Sequence, residues 1–151
     1  MIVRATVDHI RPIYDMMAAY FAEAVEKKGY RLQGEEEKAV IYLGNLLWSD
    51  RGMNFITQGH EGFVLGWLGE TWFGPNPVAE SAVLYVKPQH RNGLIARALL
   101  RRFEREAHER NALYICWDFQ SGLTDPFILD GLLKSLKYEY QGPIYRKTIA
   151  R

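Results

Sequence analysis

The chain has a single cysteine, so no internal disulfide can form; set in an apolar run, Cys116 reads as a buried structural thiol. No apolar run approaches the roughly 20 residues needed to cross a bilayer. The start, Met1-Ile2-Val3-Arg4, is strand-like and lacks a signal-peptide stretch, so a cytoplasmic location without a membrane partner is expected. Charge of one sign is missing too. With 19 basic against 18 acidic side chains the net charge is +1, which gives no pull toward nucleic acid or an anionic surface. His9, His60, His90 and His108 are scattered, and His108-Glu109 lacks the second histidine of a zinc helix, so no metal is expected. The absence of a Gly-x-Ser-x-Gly elbow disfavours a serine hydrolase. There is no repeat, low-complexity tract or linker, and 151 residues read as one domain, 1–151, with a sizeable core.

The stretch 81–117 organises the rest. Ser81-Ala82-Val83-Leu84-Tyr85-Val86 is β-branched and aromatic and stops at Lys87-Pro88, which predicts a buried strand. After a turn holding Gly93, Ile95, Leu99, Phe103 and Ala107 recur at helical spacing, with Ala96 and Leu100 beside them. Arg97, Arg101, Arg102 and Arg105 fall on the solvent side, diluted by Glu104, Glu106 and Glu109, and Glu106 stands at ion-pair spacing from Arg110. A solvated face reads better than a nucleic-acid surface. Asn111 ends the helix, and 112–117 is a second strand too apolar for an exposed edge. Strand, helix and strand in that order form a crossover with parallel strands. Its turn presents a helix N-terminus whose unpaired N–H groups favour a phosphate, and Arg91 adds a forked cation.

On either side the pattern continues. A strand over 2–5 leads to a helix capped by Thr6 or Asp8, with Ile10, Ile13, Met17, Phe21 and Ala24 inward. A second helix begins near Glu35 and buries Val40, Leu43, Leu46 and Leu47. Residues 54–57 and 63–69 read as a hairpin, and Gly74-Pro75-Asn76-Pro77 as a turn. Thr124 or Asp125 caps a helix with Pro126 at or near its start, and 138–140 with 144–149 form a closing hairpin.

The run Arg91-Asn92-Gly93-Leu94-Ile95-Ala96 resembles the acyl-CoA turn of the GNAT superfamily of N-acetyltransferases, Gln/Arg-x-x-Gly-x-Gly/Ala, whose amides hold the CoA pyrophosphate. Arg91 and Ala96 match, whereas Leu94 takes the place of the middle glycine. The element order over the whole chain is similar to that fold as well. The resemblance implies an α/β (α+β) architecture with a mixed central sheet of about 6–7 strands and about four helices around it. It implies acetyl-CoA as co-substrate and an amine acceptor, a homodimer being compatible. It places cofactor contacts at Leu84, Tyr85, Val86, Arg91, Asn92, Gly93, Leu94, Ile95, Ala96 and Arg97. Tyr85 or Val86 would offer the oxyanion a backbone N–H if the strand bulges or splays.

The resemblance points to Glu80 as the candidate base, six residues before Val86, where some members of the family present a glutamate; Val78, Ala79 and Val83 are near enough to raise its pKa, and its alternative is a solvated residue at the start of a strand. The family's thiolate-protonating tyrosine aligns with Leu133, leaving Tyr138 as a substitute acid or as a core aromatic. Lys137 replaces the glycine of the family's Leu-Gly-Phe-type exit. Tyr30 and Trp117 are the candidate acceptor-side aromatics, the alternatives being a surface turn residue for Tyr30 and a core aromatic for Trp117. The departures at Leu94, Leu133 and Lys137 leave one alternative, a non-catalytic binding or assembly module on the same scaffold.

Overall fold

A computed structural model describes residues 1–28, 35–117 and 126–140. Strands β1 (Ile2–Arg4), β2 (Phe55–Thr57), β3 (Gly62–Gly69), β4 (Val78–Val86) and β5 (Ile115–Cys116) form one sheet in that spatial order. The pairings are antiparallel from β1 to β4 and parallel between β4 and β5. Four α-helices accompany it: α1 (Ile10–Lys28), α2 (Glu36–Trp48), α3 (Leu94–Glu109) and α4 (Pro126–Ser135). The parallel crossover expected around α3 is therefore present. The sheet has five strands among the described residues, so the expected 6–7 are not confirmed. Residues 138–140 carry no strand, and 144–149 lie outside the described residues.

Alternation along the strands splits the core in two. Phe63, Leu65 and Tyr85 point to the face covered by Ile13, Met16 and Met17 of α1 and Leu43 of α2. Phe55, Val64, Leu68, Ala79 and Val86 point to the other, against Leu99, Phe103 and Ala107 of α3. The expected stripe of α3 is the one buried. Thr6 rather than Asp8 opens the first helical turn, Val7–His9, where its N–H donates to His9 Nδ1 at 3.1 Å.

Two expectations are corrected. The segment 112–117 forms a strand only in its two-residue β5 at the outer side of β4; Leu113, Tyr114 and Cys116 are exposed and the thiol is not buried. Arg102 does not project into solvent. Its guanidinium lies 4.3 Å from the Phe55 ring centroid and donates to Glu106 at 3.0 Å, because its aliphatic stem follows the apolar surface inward. The expected Glu106–Arg110 pair is present at 3.9 Å, beside the closer one with Arg102.

Both α3 and α4 end on a left-handed residue. Asn111 (φ 56°) follows α3, with Ala112 N–H donating to Ala107 O; Lys137 (φ 65°) follows α4, with Tyr138 N–H donating to Leu133 O. Asparagine tolerates that conformation, whereas lysine is strained by its Cβ. Lys137→Gly is therefore expected to raise stability by about 1 kcal/mol after the entropy of the unfolded glycine is discounted. A urea titration checks it.

Candidate active site

The site is built on β4 and the turn that follows it. Leu65 pairs with Val83 but Gly66 with Ser81, so β4 holds one extra residue, Ala82, as a bulge. The bulge turns Ala82 and Val83 to the same face, where both pack against the α1–α2 cluster. Gly66 makes room for it: a Cβ there would lie 2.3 Å from Glu80 O and 2.7 Å from the Phe103 ring. The bulge stands earlier in β4 than the Tyr85–Val86 position that an oxyanion donor would occupy.

β5 meets β4 only at Ala79↔Ile115 and Glu80↔Cys116. Beyond Glu80 the two strands part, and the β5-facing edge of β4 from Ser81 to Val86 has no strand partner among the described residues. An edge strand in that state can hydrogen-bond an extended ligand.

At the end of β4 the chain turns through Pro88–His90 into α3. Gly93 has φ +85°, and a Cβ on it would meet nothing within 4 Å, so the glycine serves the backbone conformation rather than a close contact. Leu94 N–H donates to Asn92 Oδ1 at 3.1 Å, and the first helical bond runs from Arg97 N–H to Gly93 O. The N–H groups of Ile95 and Ala96 are thus left without a backbone acceptor, at the positive end of the helix dipole. The Leu94 side chain is 69% exposed and does not fill the corner. Arg97, one turn in, donates to Ser135 Oγ at 3.2 Å rather than to a carboxylate.

Arg91 is placed differently from a free phosphate ligand. Its Nη1 and Nη2 donate to Glu23 at 2.9 and 2.8 Å, and its Nε donates to Val86 O at 2.7 Å. The Tyr85 hydroxyl donates to the same Glu23 carboxylate at 2.9 Å. Burial, reinforced by that carboxylate, pushes the Tyr85 phenol up to about 12, so it stays a neutral donor. The Glu23 fork pushes the Arg91 guanidinium above its ordinary value.

Glu80 pairs across the sheet with Trp67 and lies beside Cys116; since Ala79 faces α3, Glu80 projects from the opposite face. Partial burial and the Glu80 carboxylate push the Cys116 thiol up. Tyr138 and Trp117 belong to the α3 side. Trp117 packs 5.0 Å from the Phe103 ring centroid and 6.3 Å from that of Tyr138. The Tyr138 hydroxyl is buried there, and burial raises its pKa. The sheet therefore separates Tyr138 from Glu80. Tyr30 lies outside the described residues. Glu23 escapes sequence reasoning altogether: it is one charge on a helix, and its partner Arg91 is 68 residues away.

The chain matches no family model and no curated protein. Its structure is similar to solved acetyltransferases. A probable acetyltransferase superposes with a TM-score of 0.76 at 17% identity over 100% of this chain and 99% of the other. A ribosomal-protein-alanine N-acetyltransferase from Brucella melitensis biovar Abortus gives 0.70 at 16% identity, covering 99% of each chain. An aminoglycoside N-acetyltransferase in complex with CoA gives 0.71 at 16% identity over 99% of this chain and 95% of its own. At such identities the likeness is one of fold.

Proposed function

We propose that this chain, which has the fold of the GNAT-type acetyltransferases, is an acyl-CoA-dependent N-acyltransferase, with acetyl-CoA as donor and a primary amine as acceptor. The observation that carries this reading is the corner where β4 parts from β5 and passes into α3. Among the described residues, a strand edge without a strand partner and two helix-terminal N–H groups without a backbone acceptor meet there, and Leu94 beside them is mostly exposed. Ile95 and Ala96 N–H would hold the diphosphate, with Arg97, within the first turn of α3, as a cation not paired to a carboxylate among the described residues. The main chain at Leu84, Tyr85 and Val86 would take the amide-bearing arm and the thioester carbonyl.

On the α1–α2 face, Glu80 receives the proton that the amine loses, directly or through water. The amine nitrogen bonds to the acyl carbon, the carbon–sulfur bond breaks and the sulfur departs. Tyr138, sealed on the other side of the sheet, does not protonate it; a thiol of pKa about 8.5 leaves tolerably as thiolate. A different observation favours the second reading, a non-catalytic module: the cation of the family motif, Arg91, is already neutralised by Glu23.

The two separate in one assay. Incubation with acetyl-CoA and a panel of primary amines should release free CoA thiol in step with amide formation, and release should fall in Glu80→Gln. No thiol from any amine, together with no thermal shift at millimolar acetyl-CoA, would leave only the scaffold.

A further inference from the structure

Glu23 is a largely covered carboxylate that the acyl-transfer chemistry above does not use. Its side chain is 16% exposed, and it accepts both arms of the Arg91 fork and the Tyr85 hydroxyl. Arg91 closes the ring by donating to Val86 O, the last carbonyl of β4, and lays its guanidinium 5.3 Å from the Tyr85 ring centroid. These contacts join α1, the end of β4 and the turn that two residues later opens α3 at Gly93.

We propose that Glu23 is a positioning residue for acyl-CoA: acting through Arg91, it fixes the β4–α3 turn so that the Ile95 and Ala96 N–H groups are held ready for the diphosphate. This rests on the reading of that corner as an acyl-CoA site. Two arguments favour positioning over a phosphate-binding Arg91 held in reserve. Release of Arg91 would strand a largely buried carboxylate beside an incoming anion, which costs more than a solvent-exposed phosphate pair returns. The third guanidinium contact, Nε to Val86 O, has no use in an arginine waiting for a ligand but sets the path of the loop from 87 to 92. α1 and the cofactor turn are in this way mechanically joined, and acyl-CoA affinity depends on a residue that does not touch acyl-CoA.

The test is steady-state kinetics with calorimetric acetyl-CoA binding on wild type, Glu23→Gln, Arg91→Ala and the double variant. Glu23→Gln keeps the shape and loses the charge. It should raise KM and Kd for acetyl-CoA about tenfold while kcat and the acceptor KM stay within about twofold, a split that general loosening of the fold would not produce. The double variant should bind no worse than Arg91→Ala alone, because the two residues act as one unit. Unchanged acetyl-CoA affinity in Glu23→Gln would overturn the proposal, and so would tighter affinity, which would make Arg91 a phosphate ligand that Glu23 restrains. Wild-type protein that binds no acetyl-CoA would instead overturn the acyltransferase reading. Should Glu23→Gln fail to fold, Tyr85→Phe removes the phenol's hydrogen bond to Glu23 and keeps the ion pair with Arg91. An acetyl-CoA KM raised about threefold would then support the proposal, and no change would overturn it.

Discussion

Glu106→Ala is expected to cost the fold about 3 kcal/mol, near the lower end of what breaking a buried ion pair costs. Glu106 stands on the inner face of α3, where Oε1 accepts from Arg4 at 2.7 Å and Oε2 from Arg102 at 3.0 Å. Arg4 and Arg110 also donate to the Gly52 carbonyl, at 2.8 and 3.2 Å, so one carboxylate gathers three guanidinium groups and ties α3 to β1 and to the loop before β2. Its removal leaves three cations facing each other. The effect stays at the lower end because Arg4 is 47% exposed and water can reach it.

The same network sets an acid limit. Burial alone would raise the Glu106 carboxyl, but Arg4 and Arg102 outweigh it and hold it below its ordinary value of 4.5. With the folded pKa depressed, the unfolded chain binds more protons between the two values. The stabilisation is therefore complete above the unfolded pKa and is lost as pH falls through the folded one. Urea denaturation across that window should show the acid loss in wild type and a flatter profile in Glu106→Gln.

Gly66→Ala is expected to be about as damaging, roughly 3 kcal/mol, at the upper end of ordinary overpacking. The new methyl would meet Glu80 O at 2.3 Å and the Phe103 ring at 2.7 and 2.8 Å. A ring can shift; a carbonyl in a paired strand cannot, unless β3 and β4 separate at the bulge. For a chain of this size the melting temperature should drop by about 6–12 °C. Because Ser81–Val83 and Glu80 move with that carbonyl, activity per folded molecule should fall as well. A melting curve and an assay normalised to folded protein check both parts. Gly93 makes the contrast: nothing crowds its missing side chain, and only its positive φ demands glycine.

What could be read in the sequence followed from periodicity and local capping. The spacing of Leu99, Phe103 and Ala107 placed α3 and its buried face, Asn111 marked its end, and Pro126 began α4. These features depend on residues within a few positions of one another. What stayed hidden depends on distant partners. The bulge at Ala82 arises from how β3 and β4 register, and neither strand alone encodes it. The Glu23–Arg91 fork joins helix and turn across 68 positions, so Arg91 was legible as a cation but not as one already spoken for. Helical phase alone points Arg102 to solvent, yet its long stem carries the charge back over Phe55. The Cys116 exposure followed from how briefly β5 pairs, a property of the sheet rather than of an apolar hexamer.

Acyl-CoA use requires that the β4–α3 corner take a diphosphate, and Leu94→Asp probes that directly. Leu94 is the first residue of α3 and is mostly exposed, so a carboxylate there suits the helix dipole and should leave the melting temperature of the free protein unchanged or slightly raised. The same charge would sit beside the Ile95 and Ala96 N–H groups. Calorimetric titration with acetyl-CoA should show binding to wild type and at least about a tenfold loss in Leu94→Asp, about 1.4 kcal/mol. Equal affinity in the two proteins, or no heat of binding to wild type at millimolar ligand, would contradict it.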